Sequence, residues 1–380
     1  MKVDKITALI NSGSILSYDT IKELKSFASN NKNKDIDDIY DSILDELEEI
    51  GYDFLHANVI NGICSNIVVG GINLNADGGH RIWYDTEYDI ASVTKLFTLI
   101  LVLKYIDNGL FNLDDKVCDI DSNFKYLDYT IYDLLVMSGL IRTNKRIDEA
   151  NNYNEAVDIL YNVIPINSDM NTNNYTDIGF MVISKLLEDI TGIRYEDLII
   201  NFYKEYGINI NTLDDVRGNG YDDLKVHDPK SRIMGLIGSA GIFINSSNMD
   251  KFIDKIINCE LISYDNLLEL SKKRFDYNHA NKGIAGIYIK HPLGIKKSST
   301  PLEYSKYAFS HQGYTGSCII VDPINKIHNN ILVDAIKEDK KKDKYFYKYF
   351  NLYFEKLVLL TLKTYMIEDK QKIKMIRKFF

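Results

Sequence analysis

The sequence lacks the features that identify metalloproteins and coenzyme-binding proteins. Its four cysteines, Cys64, Cys118, Cys259 and Cys318, form neither a C-x-x-C pair nor a Cys/His cluster with metal-ligand spacing. It also contains no G-x-G-x-x-G fingerprint and no P-loop. Scattered cysteines in a chain of 380 residues suit a reducing compartment. We therefore predict neither a metal nor a cofactor.

Targeting and membrane signals are also missing. Residues 1–20 have no apolar core of the kind found in signal peptides. The most apolar run, residues 96–106, is shorter than the ~20 residues of a membrane span and carries Lys104. The net charge of −9 does not favour binding to nucleic acid or to an anionic membrane. We expect a cytoplasmic protein without a membrane span or a nucleic-acid partner.

The pattern of helix and strand signals divides the chain into segments. Apolar positions recur at helical spacing in 36–50 and 344–365, and strand-like runs dominate after Gly283. We predict a polar extension, a sheet-containing α/β part drawn from two stretches, and a mostly helical part between them, together one discontinuous unit. Their bounds are 1–34 for the extension, 35–90 and 225–380 for the α/β part, and 91–224 for the helical part.

Two local patterns make sharper structural predictions. Asn61-Gly62 separates two apolar-rich runs, which is a strong signal for a β-hairpin. Gly235, Gly238 and Gly241 are close enough in sequence to suggest that backbone packs against backbone there.

Ser92 and Lys95 are three residues apart, directly before the apolar run. On a helix this spacing places both side chains on one face. Serine needs a nearby proton acceptor to become a nucleophile, and a lysine can serve if burial lowers its pKa. The structural alternative is a serine N-cap followed by a lysine that reaches out to solvent. Since residues 96–106 are apolar on every side, the helix should be buried, and a polar pair at its start is costly unless it is used.

Two further clusters follow in the chain. Tyr175-Thr176-Asp177 stands where a polar loop meets a helix, so it either packs locally or places a phenol and a carboxylate in a cleft. His311-Gln312-Gly313 lies in a strand-rich region, where an isolated histidine is most often a structural hydrogen-bonding group. Gly313 and Gly316 would allow a ligand to lie along the strand edge.

The order of these motifs, S-x-x-K, then Y-x-D, then H-x-G, resembles the serine β-lactamase and penicillin-binding-protein superfamily. The similarity is greatest to class C β-lactamase-related esterases, D-aminopeptidases and DD-peptidases, and it extends over about residues 36–360. The sequence around and between the motifs agrees at 88–98, 112–115, 134–140, 175–180, 226–228, 238–243 and 311–317. The resemblance implies an α+β fold of the β-lactamase/transpeptidase type. In that fold an antiparallel sheet is flanked by helices and a helical region is inserted.

The resemblance also implies a role for each motif residue. Ser92 would attack a carbonyl and form an acyl-enzyme, while Lys95 and Tyr175 would move the proton to the leaving group. The backbone N–H groups of Ser92 and Tyr314 would form the oxyanion hole. His311, Gly313 and Asp177 would lie at the substrate. Water activated near Tyr175 would release the acyl group.

Two departures from the family pattern bear on the substrate. Asp177 stands where asparagine is usual, so it would pair with Lys95 and raise its pKa, or favour a cationic substrate. His311 stands where lysine is usual, which removes a permanent charge that could bind a substrate carboxylate.

We therefore predict a serine hydrolase that acts on a small-molecule ester, amide or peptide. Two alternatives stay open, a β-lactamase or penicillin-binding DD-peptidase, and a non-catalytic module that binds a peptide or acyl ligand. The sequence makes no prediction of the oligomeric state.

Overall fold

The computed structural model describes most of the central chain. Its described residues are 56–60, 65–68, 72–73, 80–81, 87–166, 170, 173–218, 226–277, 280–289, 305–324 and 326–334. The predicted extension over 1–34, the helices over 36–50 and 344–365 and the turn at Asn61-Gly62 lie outside them.

Short strands are distributed over the whole described chain. They are β1 (His56–Ile60), β2 (Ser65–Val68), β3 (Ile72–Asn73), β4 (His80–Arg81), β5 (Tyr88–Asp89), β6 (Leu140–Arg142), β7 (Ile164–Ile166), β8 (Phe243–Ile244), β9 (Phe275–Tyr277), β10 (Ala280–Lys282), β11 (Tyr288–Ile289), β12 (Phe309–Gln312), β13 (Gly316–Asp322) and β14 (Ile327–Asp334).

Eight of these strands form the main sheet, in the order β2-β1-β14-β13-β12-β11-β10-β9. Every neighbouring pair is antiparallel. Asn58 of β1 pairs with Asn330 on one side and with Asn66 on the other, so the first strands add to the last one. The pairing of β1 with β2 confirms the predicted hairpin. Both ends of the described chain therefore contribute to one sheet.

The helices pack beside this sheet and against each other. They are α1 (Thr94–Asp107), α2 (Val117–Ile120), α3 (Ile131–Val136), α4 (Tyr153–Tyr161), α5 (Ile178–Thr191), α6 (Tyr195–Glu205), α7 (Leu213–Gly218), α8 (Ser231–Met234), α9 (Ser246–Ile257) and α10 (Tyr264–Leu270). α9 packs on β1 and β14, and α1 contacts α5 and α6. An antiparallel sheet with packed helices confirms the predicted α+β class.

Helix α1 is the centre of the hydrophobic core. Its residues 94–103 are all buried, which confirms the prediction from its uniformly apolar sequence. The Phe97 ring stacks on Phe252 of α9 with centroids 3.7 Å apart, and the Tyr203 hydroxyl of α6 donates to the Phe97 carbonyl over 2.7 Å. α1 is therefore fixed from several sides, and so is the segment that precedes it.

The glycine-rich stretch brings backbone against backbone as expected. A Cβ added at Gly238 would lie 2.1 Å from the carbonyl oxygen of Phe180 in α5. The Thr98 hydroxyl of α1 donates to the Gly238 carbonyl over 2.7 Å. Gly238 thus joins α1 to α5, the two helices at whose starts the first two motifs lie.

No helix among the described residues is both long enough and apolar enough to cross a membrane. The cytoplasmic location, the domain bounds and the absence of a nucleic-acid partner stay predictions.

Candidate active site

Ser92 lies on a tight turn, Ala91–Val93, directly before α1 and not within the helix itself. Ala91 has a left-handed backbone with φ of 48°, and its N–H donates to Asp89 Oδ1 over 2.8 Å. The N-cap residue of this turn is Ile90 and that of α1 is Val93, and neither makes a side-chain capping hydrogen bond. The serine N-cap alternative is therefore not observed, and the half-buried Ser92 side chain is turned to another partner.

That partner is Lys95, whose side chain is fully buried. Its Nζ donates to Ser92 Oγ over 2.9 Å, to Asp177 Oδ1 over 2.8 Å and to the Ser239 carbonyl over 3.5 Å. Three acceptors match the three hydrogens of an ammonium. Burial lowers the pKa of Lys95, but Tyr175 and Asp177 outweigh it, so the pKa is raised. Lys95 is therefore held as a cation beside the serine hydroxyl.

Asp177 connects two lysines at the start of α5. Its Oδ1 accepts from Lys95, and its Oδ2 accepts from Lys230 Nζ over 3.2 Å. Lys230 in turn donates to Asp228 over 2.8 Å. Burial raises the pKa of Asp177, yet Lys95 and then Lys230 bring it down to about 2. The expected pairing of Asp177 with Lys95 is thus observed, and both carboxylate oxygens have cationic partners.

The Tyr175 ring lies near two lysine amines. Its ring centroid is 4.9 Å from Lys95 Nζ and 5.6 Å from Lys282 Nζ. A Cβ added at Gly286 would be only 2.5 Å from the ring, so the turn Ile284–Gly286 supports the phenol directly. At 45% exposure, Tyr175 is open to a ligand in the cleft.

Lys282 is a second buried amine on β10. It donates to the Gly286 carbonyl over 3.0 Å and lies 3.2 Å from the ring centroid of Tyr288. Burial and the charge of Lys95 together lower the pKa of Lys282 to about 7. Lys282 and Lys95 therefore differ in charge state around neutral pH.

His311 is buried behind the site on β12. Its Nε2 lies 3.0 Å from the Ala285 carbonyl, and its Nδ1 lies 3.2 Å from the Gln312 carbonyl. Burial, followed by the charge of Lys95, lowers the pKa of His311 to about 3, so the ring is neutral. These contacts match the structural alternative, and a contact with substrate stays a prediction for His311.

The connection between β12 and β13 packs on the segment before Ser92. A Cβ added at Gly313 would lie 2.4 Å from the Ile90 carbonyl and 3.2 Å from Ala91 Cβ. β12 and β13 both contact the turn that carries Ser92. Tyr314 follows Gly313 directly, so the two backbone segments predicted to form the oxyanion hole are neighbours.

Four further residues lie at the site without having been predicted there. Asp89 and His227 form a hydrogen-bonded pair next to the Ser92 turn, Lys230 binds Asp177, and Lys282 lies near the Tyr175 ring. The family resemblance included the stretches 88–98 and 226–228, which contain Asp89 and His227, but it indicated no role for either residue. The two lysines belong to no motif.

Comparison with known proteins supports the resemblance. The Beta-lactamase family model matches residues 67–347, well over half of the chain. No curated protein matches the sequence.

Three solved structures illustrate the different proteins that share this fold. EstCE1, a hydrolase with promiscuous acyltransferase activity, is 11% identical, with a TM-score of 0.65 over 87% of this chain and 99% of that chain. An octameric penicillin-binding protein homologue from Pyrococcus abyssi is 18% identical, with a TM-score of 0.61 over 79% and 74%. A class C beta lactamase from Rhodobacter sphaeroides is 16% identical, with a TM-score of 0.58 over 80% and 95%.

Identities this low indicate a shared fold and carry no information on the substrate. The matched family model spans the stretch from β2 to beyond β14 and contains all three motifs. The chain belongs to the beta-lactamase family.

Proposed function

We propose that the protein is a serine hydrolase that forms an acyl-enzyme on Ser92 and cleaves an ester or a small amide or peptide bond. The proposal rests on the hydrogen bond from Lys95 Nζ to Ser92 Oγ. This bond is 2.9 Å long, and the lysine side chain that donates it is fully buried. A buried cation beside a serine hydroxyl is expensive to maintain in a merely structural role.

In this proposal Tyr175 reacts as a phenolate. As Ser92 Oγ bonds to the carbonyl carbon, its proton passes to the Tyr175 oxygen, which becomes a neutral phenol. Lys95 is already an ammonium with three acceptors, so it cannot take up another proton. Its positive charge next to the phenol stabilises a negatively charged oxygen there. Tyr175 then returns the proton to the leaving group, and later activates the water that releases the acyl group. The backbone N–H groups of Ser92 and Tyr314 stabilise the oxyanion.

The charges around the site favour an ester or small peptide over a β-lactam. β-Lactams carry a carboxylate, which requires an available cation in the cleft. Among the described residues, Lys95 and Lys230 already bind carboxylates, and Lys282 and His311 are buried. Both oxygens of Asp177 are engaged too, so a cationic substrate would have to displace a lysine. A substrate with a neutral acyl group fits this arrangement of charges best, because it needs neither a free cation nor a free carboxylate.

Active-site labelling tests the nucleophile. We expect a fluorophosphonate probe to modify the wild type and the Ser271→Ala variant, and to leave Ser92→Ala unmodified. Ser271 is a buried serine after α10 and serves as the matched control. Mass spectrometry of the peptide containing Ser92 measures the adduct. If neither this probe nor a fluorescent penicillin gives a Ser92-dependent adduct, the non-catalytic module becomes the better description.

Turnover assays then separate the substrate classes. We expect p-nitrophenyl esters of short acids or D-amino-acid amides to be hydrolysed faster than nitrocefin. Rapid nitrocefin hydrolysis would contradict the charge argument and favour the β-lactamase alternative.

A further inference from the structure

Asp89 connects three segments around the proposed oxyanion hole. Its carboxylate accepts from the Ala91 N–H over 2.8 Å, from the His227 N–H over 2.9 Å and from His227 Nδ1 over 3.0 Å. Its backbone carbonyl accepts from the Thr315 hydroxyl over 2.8 Å. Asp89 is 2% exposed, so these bonds form where water does not compete. One residue thus holds the turn before Ser92, the loop of His227 and the start of β13.

His227 continues this connection to Tyr314. Its imidazole stacks on the Tyr314 ring, with centroids 5.5 Å apart and planes 20° from parallel. A carboxylate can only accept, so the hydrogen lies on Nδ1 and the ring orientation is fixed by Asp89. Burial lowers the pKa of His227, but Asp89 outweighs it and the pKa is raised. The Tyr314 ring therefore packs on the His227 imidazole, whose orientation is fixed by Asp89.

We infer that Asp89 and His227 are positioning residues that set the separation between the two backbone segments of the oxyanion hole, at Ser92 and at Tyr314. This inference rests on the proposed function. Asp89 fixes the Ser92 side through the Ala91 N–H, and it fixes the other side through Thr315 and through the stacked His227 ring.

The physical reason is that an oxyanion hole acts through donors placed before the reaction begins. Removing one donor costs about 10²–10³ in kcat, and a misplacement of about 1 Å costs about 10²-fold. Ala91 is held in a left-handed conformation at φ of 48°, which a residue with a Cβ seldom adopts without restraint. The Asp89 bond to its N–H supplies that restraint next to Ser92.

The substitution Asp89→Asn tests this role with little change in volume. An amide that accepts from Ala91 turns its NH2 toward His227. The bond from the backbone N–H of His227 is then lost, and the imidazole keeps a hydrogen bond only by moving its proton from Nδ1 to Nε2. His227→Phe keeps a ring on Tyr314 but loses the bond from Nδ1. The matched control is Asp254→Asn, because Asp254 of α9 bonds His328 Nε2 of β14 over 3.1 Å and joins no segment of the cleft.

The measurement compares an activated ester with its thionoester, in which sulfur replaces the carbonyl oxygen. Sulfur accepts hydrogen bonds poorly, so the ratio of the two kcat/KM values reports on the oxyanion hole, whereas general damage lowers both values alike. We expect kcat for the ester to fall about 10–100-fold in Asp89→Asn, with a smaller fall in His227→Phe. The ester preference should shrink in both variants and stay unchanged in Asp254→Asn.

The outcomes separate this inference from the proposed function. A wild-type chain that forms no Ser92 adduct overturns the proposed function and this inference with it. A wild-type chain that reacts at Ser92, with an unchanged ester preference in Asp89→Asn, overturns the inference alone.

Discussion

Two lysines flank the Tyr175 ring at similar distances and behave in opposite ways. Lys95 is fully buried and Lys282 is 4% exposed, so water is removed from both amines to almost the same extent. Lys95 has a carboxylate partner in Asp177, whereas Lys282 contacts the Gly286 carbonyl and the face of Tyr288. The pKa of Lys95 is raised, and that of Lys282 is lowered to about 7.

The comparison shows that a carboxylate partner decides whether an amine in this cleft follows the effect of burial or overcomes it. Burial acts in the same direction on both lysines, toward the neutral form. Asp177 reverses it for Lys95, and the resulting charge of Lys95 in turn disfavours a second charge on Lys282. The site therefore has one amine held as a cation beside Ser92, and one amine near the Tyr175 ring whose pKa lies at about 7.

The largest expected effect comes from removing the cation. Lys95→Met should lower kcat/KM for a p-nitrophenyl ester by about 10²–10⁴, because Ser92 loses its contact and Tyr175 loses the neighbouring charge. Lys282→Met should lower it by less than about tenfold, since Lys282 does not contact Ser92. Steady-state kinetics on both variants measures the difference. Equal losses in the two variants would show that the contact with Ser92 does not distinguish the two lysines.

Replacing Asp177, the carboxylate partner of Lys95, tests the comparison of the two lysines directly. In Asp177→Asn the amide removes the negative charge while burial remains, so the pKa of Lys95 should fall. Charges this close commonly change a pKa by about 1–3 units. The ammonium exists below its pKa, so the alkaline limit of the kcat/KM profile should move to lower pH by about that amount.

The pH profile of Asp177→Asn is measured against wild type with a substrate that does not ionise. Thermal unfolding of both proteins controls for loss of the fold. An unchanged alkaline limit would mean that Asp177 does not set the charge of Lys95.

The sequence predicted much of the fold because its signals are local. The uniformly apolar run of α1 and the pairing of β1 with β2 were predicted from signals between neighbours in the chain. The contact of Ser92 with Lys95 was predictable for the same reason, although the serine lies on the preceding turn.

The missed features depend on distant parts of the chain. Lys230 and Lys282 are separated from Asp177 and Tyr175 by more than 50 residues, and no spacing rule connects them. Asp89 and His227 are 138 residues apart. His311 could be placed on a strand by its neighbours, but the Ala285 carbonyl that its ring faces comes from another strand connection. Local sequence patterns do not predict contacts that form only when distant segments fold together.

Replacing Lys282 should have the smallest effect on the rate. Its effect on stability should depend on pH. Its pKa is about 7 in the folded protein and 10.5 in an ordinary environment. Between these values the unfolded chain binds one more proton at this residue than the folded chain does, so stability rises with pH over this range. Lys282 therefore opposes folding most strongly below pH 7, and this penalty disappears as the pH approaches 10.5.

Lys282→Met removes the penalty and leaves an apolar side chain between aromatic rings. The variant should unfold at a higher temperature than wild type at pH 6, and the difference should shrink by pH 10, as measured by thermal unfolding at both pH values. Lys95→Met should have the opposite sign, because it leaves Asp177 without one of its two lysines. If both variants were destabilised at pH 6, the hydrogen bond from Lys282 to Gly286 would outweigh the cost of burying its charge.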